Sequence, residues 1–502
     1  MLRTLLLIAL LPGLISSCHV SDHQKSMPNV ILIVLDDLGY ADLSTFGATN
    51  IKTPNIDALA HEGLKLTNFT VASSICSPSR AALLTGSYPL RVGVPNVLFP
   101  DGAWGNDPNT GLHPDVETIA DMLKARGYST AMAGKWHLGH APVFLPTEQG
   151  FDDFFGIPYS NDMAIVPGMT LAKDIVLNEA WTLDDIINIQ DKPWEERYGK
   201  TPLMRNNEVI EVPADQRTLT SRLTRYATQF IDQQSGKHPF FLYLAHPMPH
   251  IPLNTSDEFR GRSDAGSYGD VIEELDWSTG EIVEALKQNG VLDNTLIIFT
   301  SDNGPWLSYG NHGGSAGNLR GGKFDTWEGG FRVPAILHWP SVIEKGQVTD
   351  QLVSAIDILP TLADITGSAL PEQSIDGISV LPLLEGATIA ALESRVFYYF
   401  HREQLNAVRQ GPWKYVFEHR GQRLTSIGAN GVDGEYNFDV TFPEALYQVG
   451  VDSTESNNVL AEHRDLASRL RDQGKTFEVL IKSQARSPAT FTPEQPSLSG
   501  KE

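Results

Sequence analysis

The sequence predicts an α/β fold: a doubly wound, mostly parallel sheet flanked by helices, with a smaller C-terminal α+β subdomain carrying a short antiparallel sheet. Three observations predict it. Continuous apolar runs without alternation mark strands buried on both faces. Segments with a helical period alternate with those runs. Near residue 395 the pattern changes to short, aromatic, alternating segments typical of an antiparallel sheet.

The elements follow in chain order. "NVILIVLDDLGY" holds an apolar run from Val30 to Leu35 that ends in Asp36 and Asp37. "NIDALAHEGLKL" predicts a helix from Asn55 to Leu66. Cys76 precedes Ser77, a suitable N-cap, and Pro78, which suits a first helical turn; the helix then runs through "SRAALLTG" to Gly86. "DVETIADMLKARG" predicts a helix from Asp115 to Gly127, with the glycine as C-cap. "STAMAGKWHLG" holds a weaker strand ending in Lys135 and His137. The helix "TSRLTRYATQFIDQQ" leads to a strand from Phe240 to Ala245, followed by His246 and His250. "VIEELDWSTGEIVEALKQNG" is helical and stops at Gly290. The next strand, Leu296 to Thr300, ends in Asp302 and Asn303. "DILPTLADITG" closes the first domain as a helix. "RVFYYF", "LNAVRQGPWKYVF" and "EALYQVG" form the antiparallel block, and "NNVLAEHRDLASRLRDQGKTFEVLIKSQ" supplies a helix to cover a sheet. The expected limits are a signal peptide over 1–17, a tether over 18–27, a catalytic domain over 28–390, a C-terminal subdomain over 391–484 and a disordered tail over 485–502, rich in Ser, Pro and Thr.

A chain of 502 residues buries a large core without staples. Its net charge of −23, with no basic run, excludes a nucleic-acid partner. At the N-terminus Arg3 precedes "LLLIALLPGLI", an apolar core too short for an ordinary spanning helix, which reads as an export signal. "ISSC" resembles a bacterial lipobox, which implies cleavage before Cys18 and lipidation of Cys18; an ordinary secretory signal is the alternative. Either way the protein is exported, to the periplasm or outer membrane of a bacterium, and meets a membrane only through that lipid. The chain has two cysteines, so a lipidated Cys18 leaves Cys76 without a partner for a disulfide.

In doubly wound sheets ligands sit beyond the carboxyl ends of the strands. Four strand ends here carry ionisable or amide groups. Asp36, Asp37, Asp302 and Asn303 offer oxygen only, which suits a hard cation, Ca²⁺ or Mg²⁺ rather than Zn²⁺. Each doublet alone could serve a turn; two at one site would repel each other without a cation. A helix beginning beside Cys76 presents its positive end, with Arg80 one turn on. Lys135, His137, His250 and Lys323 add donors. A metal, a helix N-terminus and several cations together suit transfer of a tetrahedral oxyanion, sulfate or phosphate.

"CSPSRAALLTG" resembles the signature C-x-P-S-R-x-x-L-x-T-G of the type I sulfatases, in the alkaline phosphatase superfamily, at every fixed position. "LDDLGY", "GKWHLG", "GIPYSND", "PMPHIPL", "SDNG" and "LRGGKFDTWEGGFRVPAI" are similar to that family's motifs in the same order, from about Asn29 to Asn458. The resemblance implies that a formylglycine-generating enzyme converts Cys76 to an aldehyde whose hydrate is the nucleophile. One hydroxyl takes the sulfuryl group; the other expels sulfate. It implies further that Asp36, Asp37, Asp302 and Asn303, with the modified Cys76, surround a cation, usually Ca²⁺. Arg80 would orient the hydrate, Lys135 and Lys323 hold sulfate oxygens, His137 assist the second hydroxyl, and Ser160 touch the sulfate or nucleophile. Asp302 would also help to deprotonate the attacking hydroxyl. The family pattern prefers His250 over His246 as general acid.

In the glycine-rich loop, His312 and Arg320 are candidates to reach substrate, as are His401 and Arg402 in the C-terminal block, where edge charge is the alternative. Trp136 and Trp327 read as packing. The expected activity is hydrolysis of a sulfate ester, with a sulfated glycan as substrate. The competing readings are a phosphate or phosphonate monoester hydrolase of the same superfamily and a non-catalytic glycan-binding surface protein.

Overall fold

The computed structural model describes residues 27–103 and 107–492. The expected signal peptide, Cys18 and nearly all of the tether lie outside the described residues. Strands β1 (Asn29–Leu35), β2 (Leu64–Thr70), β3 (Ser129–Lys135), β4 (Asp153–Ile157), β5 (Phe240–His246), β6 (Thr295–Ser301) and β7 (Arg332–His338) make up the centre of one large sheet. Five run parallel in the order β6-β1-β5-β3-β4. Beyond β6, β7 and then β2 join as antiparallel neighbours. Gln347–Thr349 extends that edge, and Leu203–Arg205, Glu208–Val212 and Leu171–Leu177 extend the other.

The unbroken apolar runs are explained by burial on both faces. In β1, Val30, Leu32 and Val34 enter one core while Ile31, Ile33 and Leu35 enter another. β5 divides likewise: Phe241, Tyr243 and Ala245 against Phe240, Leu242 and Leu244. Each fully buried side chain of this size contributes about 1.5–3 kcal/mol, so the two cores fix the register of the strands and hence of their carboxyl ends. Helices α1 (Pro54–Glu62), α2 (Cys76–Thr85), α3 (Ile119–Ala125), α4 (Leu219–Gln234), α5 (Gly266–Gln288) and α6 (Ile358–Thr366) flank the sheet. Leu84, Leu123 and Leu362 bring α2, α3 and α6 to the first core; Leu59, Leu223 and Leu275 bring α1, α4 and α5 to the second.

Three local expectations are corrected. The helix expected over 55–66 ends at Glu62, and Leu64–Leu66 opens β2 because it pairs with β7, Leu64 opposite Leu337. The helix expected from Asp115 begins at Ile119, where Thr118 and Asp121 form a reciprocal capping box. Helix α2 begins at Cys76 rather than after Ser77; its N-cap is Ile75, with no side-chain cap, because the Ser77 hydroxyl accepts the Leu98 N–H at 3.2 Å instead.

After the central domain come β8 (Val396–His401), β9 (Gln404–Gln410), β10 (Trp413–Val416), β11 (His419–Ser426), β12 (Glu435–Phe442) and β13 (Ala445–Gln448). β8, β9, β10 and β13 form an antiparallel sheet, and β11 pairs with β12 as a separate hairpin. Helix α7 (Arg464–Ser483) lies against the sheet, Phe477 stacking on Tyr398 at 3.7 Å. The segment after 485, expected to be disordered, is partly ordered: Ala489–Thr490 pairs with Thr110–Gly111.

A buried ionic cluster joins this block to the central domain. Glu328 accepts from Arg409 at 2.6 Å, Lys414 at 3.2 Å and the Tyr399 hydroxyl at 2.8 Å. Lys414 also meets Glu455 at 2.9 Å, and Glu455 accepts the Glu328 N–H at 2.8 Å. Such charges are tolerated in a core because they are paired and hydrogen-bonded. They anchor the chain five residues beyond Lys323.

Close strand approach also makes a testable demand. Gly134, next to last in β3, has φ +112°, and a Cβ there would lie 1.8 Å from the Ala245 carbonyl oxygen of β5. Gly134→Ala is expected to lose about 2–4 kcal/mol of stability. Thermal unfolding checks this; an unchanged melting temperature contradicts the β3–β5 packing.

Candidate active site

All five parallel strands deliver their carboxyl ends to the same edge of the sheet. Leu35 stands opposite Ser301 on one side and His246 on the other, so Asp36 and Asp302 leave adjacent strands side by side. Lys135 is the last residue of β3, and Ser160 follows β4 by three residues. Two of the strand exits are strained: Asp37 has φ +66° and His137 φ +61°. Left-handed backbone at non-glycine residues costs about 1–3 kcal/mol each and concentrates at functional sites.

Cys76, at the N-terminus of α2, lies at the focus. Its Sγ is within 4.8 Å of a carboxylate oxygen from Asp36 and Asp302, and likewise of ligand atoms from Asp37 and His250. Its thiol is buried and free, and burial pushes its pKa up to about 12. Lys135 and Lys323 oppose that rise without overcoming it. The thiol therefore stays protonated near neutral pH and is a poor nucleophile as it stands.

Three carboxylates and three permanent cations interlock around this cysteine. Arg80 donates from Nε to Asp302 Oδ2 at 2.8 Å, and its Nη2 lies 3.5 Å from Asp36. Lys135 Nζ donates to Asp36 Oδ2 at 2.6 Å and to Ser160 Oγ at 3.2 Å. Lys323 Nζ donates to Asp37 Oδ2 at 2.8 Å and sits 4.2 Å from the Trp306 ring centre. Asn303 Nδ2 donates to Asp37 Oδ1 at 2.7 Å. Burial would raise the Asp36 pKa, but the permanent charges of Lys135 and Arg80 help to outweigh it and hold that carboxyl well below its ordinary value. For Asp302 burial prevails, helped by the Asp36 charge, and pushes it up to about 7. Burial likewise opposes the charge of Lys135, yet Asp36 holds its pKa above the lysine norm.

This donor set fits a hard divalent cation. The four residues offer oxygen ligands, and two of those oxygens, Asp36 Oδ1 and Asn303 Oδ1, are buried without a hydrogen-bond donor. Oxygens left so, in a pocket with three carboxylates, suit coordination by Ca²⁺ or Mg²⁺. With all three carboxylates ionised the three cations only balance them, so an added divalent ion would leave the pocket positive and ready for an anion.

The histidines divide. His250 is 3% exposed; its Nδ1 contacts the Ile251 carbonyl at 2.5 Å, and its Nε2 lies 3.7 Å from Asp37 Oδ2. Burial, and then Lys323, lower its pKa well below the ordinary value. His137 Nε2 donates to the Leu98 carbonyl at 3.2 Å, leaving Nδ1 buried and unpartnered as an acceptor. Burial holds it neutral too. His246 turns away: its Nε2 meets the Ser278 hydroxyl of α5 at 3.1 Å, a packed core position.

Cys76, His137, Ser160, His250 and Lys323 open into one cleft of about 1110 Å³. His401 and Arg402 line it as well. His312 and Arg320 are not among its lining residues, although Arg320 borders a smaller adjoining pocket that shares Lys323 and Gln422 with the cleft. Arg320 stacks on Trp327, 3.5 Å from the ring centre, and donates to the Glu455 carbonyl at 2.7 Å, so its guanidinium is used for packing. His312 ends a short 3-10 segment outside the cleft lining. Trp136 is fully buried, its indole N–H on the Phe144 carbonyl at 2.8 Å. The cleft adds residues that motif reasoning missed: Asp162, Trp306, Tyr309, and Gln422, Asp433, Tyr436 and Phe438 of the β11–β12 hairpin. Asp162 lay within a quoted motif and could have been taken from it; the hairpin residues carry no spacing signal.

Comparison with known proteins agrees with this geometry. Residues 28–368 match the family model "Sulfatase", and residues 322–421 match "N-sulphoglucosamine sulphohydrolase, C-terminal". The chain is 37% identical to arylsulfatase A of Homo sapiens over 476 residues, covering 93% of this chain and 90% of that one. It is 38% identical to human steryl-sulfatase, covering 82% and 79%. Among solved structures, Ps i-CgsB in complex with k-i-k-neocarrahexaose superposes with a TM-score of 0.75 at 30% identity, covering 93% and 95%. A family match over more than half the chain, on a pocket whose carboxylates and cations converge on the cysteine of the signature, makes this protein a sulfatase, a hydrolase of sulfuric esters.

Proposed function

We propose that this enzyme removes sulfate from a sulfated carbohydrate, using formylglycine made from Cys76 and a divalent cation held by Asp36, Asp37, Asp302 and Asn303. The observation that carries the reading is the convergence of three carboxylates, Asp36, Asp37 and Asp302, on the buried Cys76 sulfur, with two oxygens, Asp36 Oδ1 and Asn303 Oδ1, that accept from no donor. Formylglycine would supply a geminal diol, one hydroxyl to attack sulfur and the other to release sulfate; the cation would supply charge to orient the ester. Maturation would need a formylglycine-generating enzyme, and export would place the protein at a bacterial surface through Cys18. Among the described residues no helix is long and apolar enough to cross a membrane.

The chain's own residues take the remaining roles. Lys323, in the cleft lining, and Lys135, buried behind Ser160, are permanent cations that would bind sulfate oxygens. Arg80, fixed by Asp302 and by the Lys135 carbonyl at 2.8 Å, would orient the nucleophile. His137, with its Nδ1 lone pair free, would accept the proton of the second hydroxyl. His250 would give a proton to the leaving oxygen, with Lys323 beside it. The bound ester brings negative charge next to the imidazole, which favours its charged form.

A carbohydrate substrate is supported by the size and lining of the cleft, which exceeds the ~300–1,000 Å³ of ordinary small-molecule sites. It is supported also by the sugar complex of Ps i-CgsB. The test measures turnover of matched sulfate and phosphate monoesters and of defined sulfated oligosaccharides by the matured enzyme. Sulfate release should dominate, with at least one oligosaccharide preferred over nitrophenyl sulfate; faster phosphate release, or no sugar turned over, contradicts the reading. His250→Ala should lower kcat/KM by roughly 10²–10⁴-fold for sugar esters and much less for nitrophenyl sulfate, whose leaving group needs no proton. An equal loss on both contradicts the general-acid role.

A further inference from the structure

The cleft has two unlike walls above the catalytic floor. On one, from the central domain, stand Asp162, Tyr198 and Tyr309. This wall offers acceptors and hydroxyls, groups that read the hydroxyls of a neutral sugar. The other comes from the C-terminal subdomain: His401 at the end of β8, Arg402 in the turn after it, His419, Arg420 and Gln422 on β11, and Asp433 in the β11–β12 connection. Phe438, on β12, stands 72% exposed at the rim, its ring 5.8 Å from that of Tyr436. An exposed aromatic face beside a polar cleft suits the apolar face of a sugar ring.

The cations of the lining differ in one respect. Lys323 is held by Asp37, Arg197 lies 3.6 Å from Asp101, and Arg420 pairs with Asp439 on the neighbouring strand. Arg402 is exposed, lines the cleft, and makes no hydrogen bond or ion pair among the described residues. Its backbone is also unusual. Arg402 is the first residue of the two-residue loop that joins His401 to its partner Gln404, and its φ is +55°. At that position of a tight hairpin a positive φ makes glycine the favoured residue. An arginine there is a local cost with no packing return, and strain of this kind points to a role in binding.

We propose that Arg402 forms a second anion subsite in the cleft, taking a sulfate or carboxylate carried by the substrate in addition to the ester being cleaved. The preferred substrate is then a glycan bearing at least two anionic groups, seated with one charge on the catalytic floor and another on the β8–β9 turn. Phe438 packs against the ring between or beyond them. The proposal rests on the carbohydrate reading above, and adds to it which carbohydrates bind.

Two variants test it on the matured full-length enzyme. Arg402→Gln removes the charge, and Arg402→Gly removes the charge while relieving the positive φ. The probes are nitrophenyl sulfate and three oligosaccharides that share one scissile sulfate: one with no other anionic group, one with a second sulfate, and one with a carboxylate. Wild type should favour one of the doubly anionic sugars over the singly anionic one, and which it favours identifies the group read. Both variants should reduce that preference at least tenfold, chiefly through KM. Arg402→Gly should melt at or above the wild-type temperature, which separates loss of recognition from loss of fold. A wild type that cleaves all three sugars equally, or variants that keep the preference, overturns the subsite while leaving the carbohydrate reading intact. A wild type that cleaves nitrophenyl sulfate and none of the sugars overturns both.

Discussion

Cys76→Ser is expected to fold and to lose roughly 10⁴-fold or more of kcat. The fold should survive because the replacement is nearly isosteric. The new hydroxyl would also lie among oxygens of Asp36, Asp37 and Asp302 able to accept from it, so no buried donor is stranded. Activity should not survive, for two reasons. A serine alkoxide has no second hydroxyl to expel sulfate, so turnover would stop after one transfer. The native thiol is no substitute either: it too lacks a second hydroxyl, and burial pushes its pKa up to about 12. Steady-state turnover together with the melting temperature checks the prediction. Near wild-type activity in a well-folded Cys76→Ser variant contradicts the aldehyde route.

Asp302→Asn is expected to cost at least ~10²-fold in activity and to lower the bound divalent cation from about one per chain to near none. Asparagine is the informative replacement. Asp302 Oδ2 accepts from Arg80 Nε at 2.8 Å and lies 2.8 Å from Nη2 as an ion pair, in a pocket with no exposure. Alanine would leave that guanidinium buried without its partner, a loss of about 3–5 kcal/mol that would confuse folding with metal binding. Asparagine keeps an oxygen acceptor and the side-chain volume. Elemental analysis of the purified variant, with the effect of a chelator on the wild-type melting temperature, provides the measurement. At cation concentrations a hundredfold above Kd, chelation should remove about 2.7 kcal/mol of stability. Full metal occupancy in Asp302→Asn, with chelator-insensitive melting, contradicts the ligand assignment.

Much of the centre of the fold was legible because two-sided burial leaves a plain trace. Val30–Leu35, Phe240–Ala245 and Leu296–Thr300 are apolar at every step or nearly so, and a strand in contact with two cores requires that. β3 was harder, since "STAMAG" meets its neighbours with small side chains and a glycine, not with bulk. Leu64–Leu66 misled because its leucines continue the helical period of α1; only pairing with β7, some 270 residues on, makes them a strand. The N-cap of α2 misled for a similar reason. Ser77 has the right chemistry, but the Leu98 N–H claims its oxygen.

The site divides the same way. The carboxylates, Arg80, Lys135 and Lys323 sit in short motifs whose spacing reflects strand ends and one helix start. The far wall of the cleft does not. His401, Arg402 and Phe438 reach the pocket by the docking of a subdomain through Glu328, Arg409 and Lys414, and no local pattern announces such an approach. Arg320 shows the converse: it belongs to a motif-like loop, yet its charge is spent on Trp327 and a carbonyl 135 residues away.

Mass spectrometry of the peptide containing residue 76, from protein matured in its native host, tests the central claim most directly. The account predicts an aldehyde in place of the thiol, with specific activity across preparations proportional to the fraction converted. Full activity in a preparation whose residue 76 is entirely unmodified cysteine would contradict it.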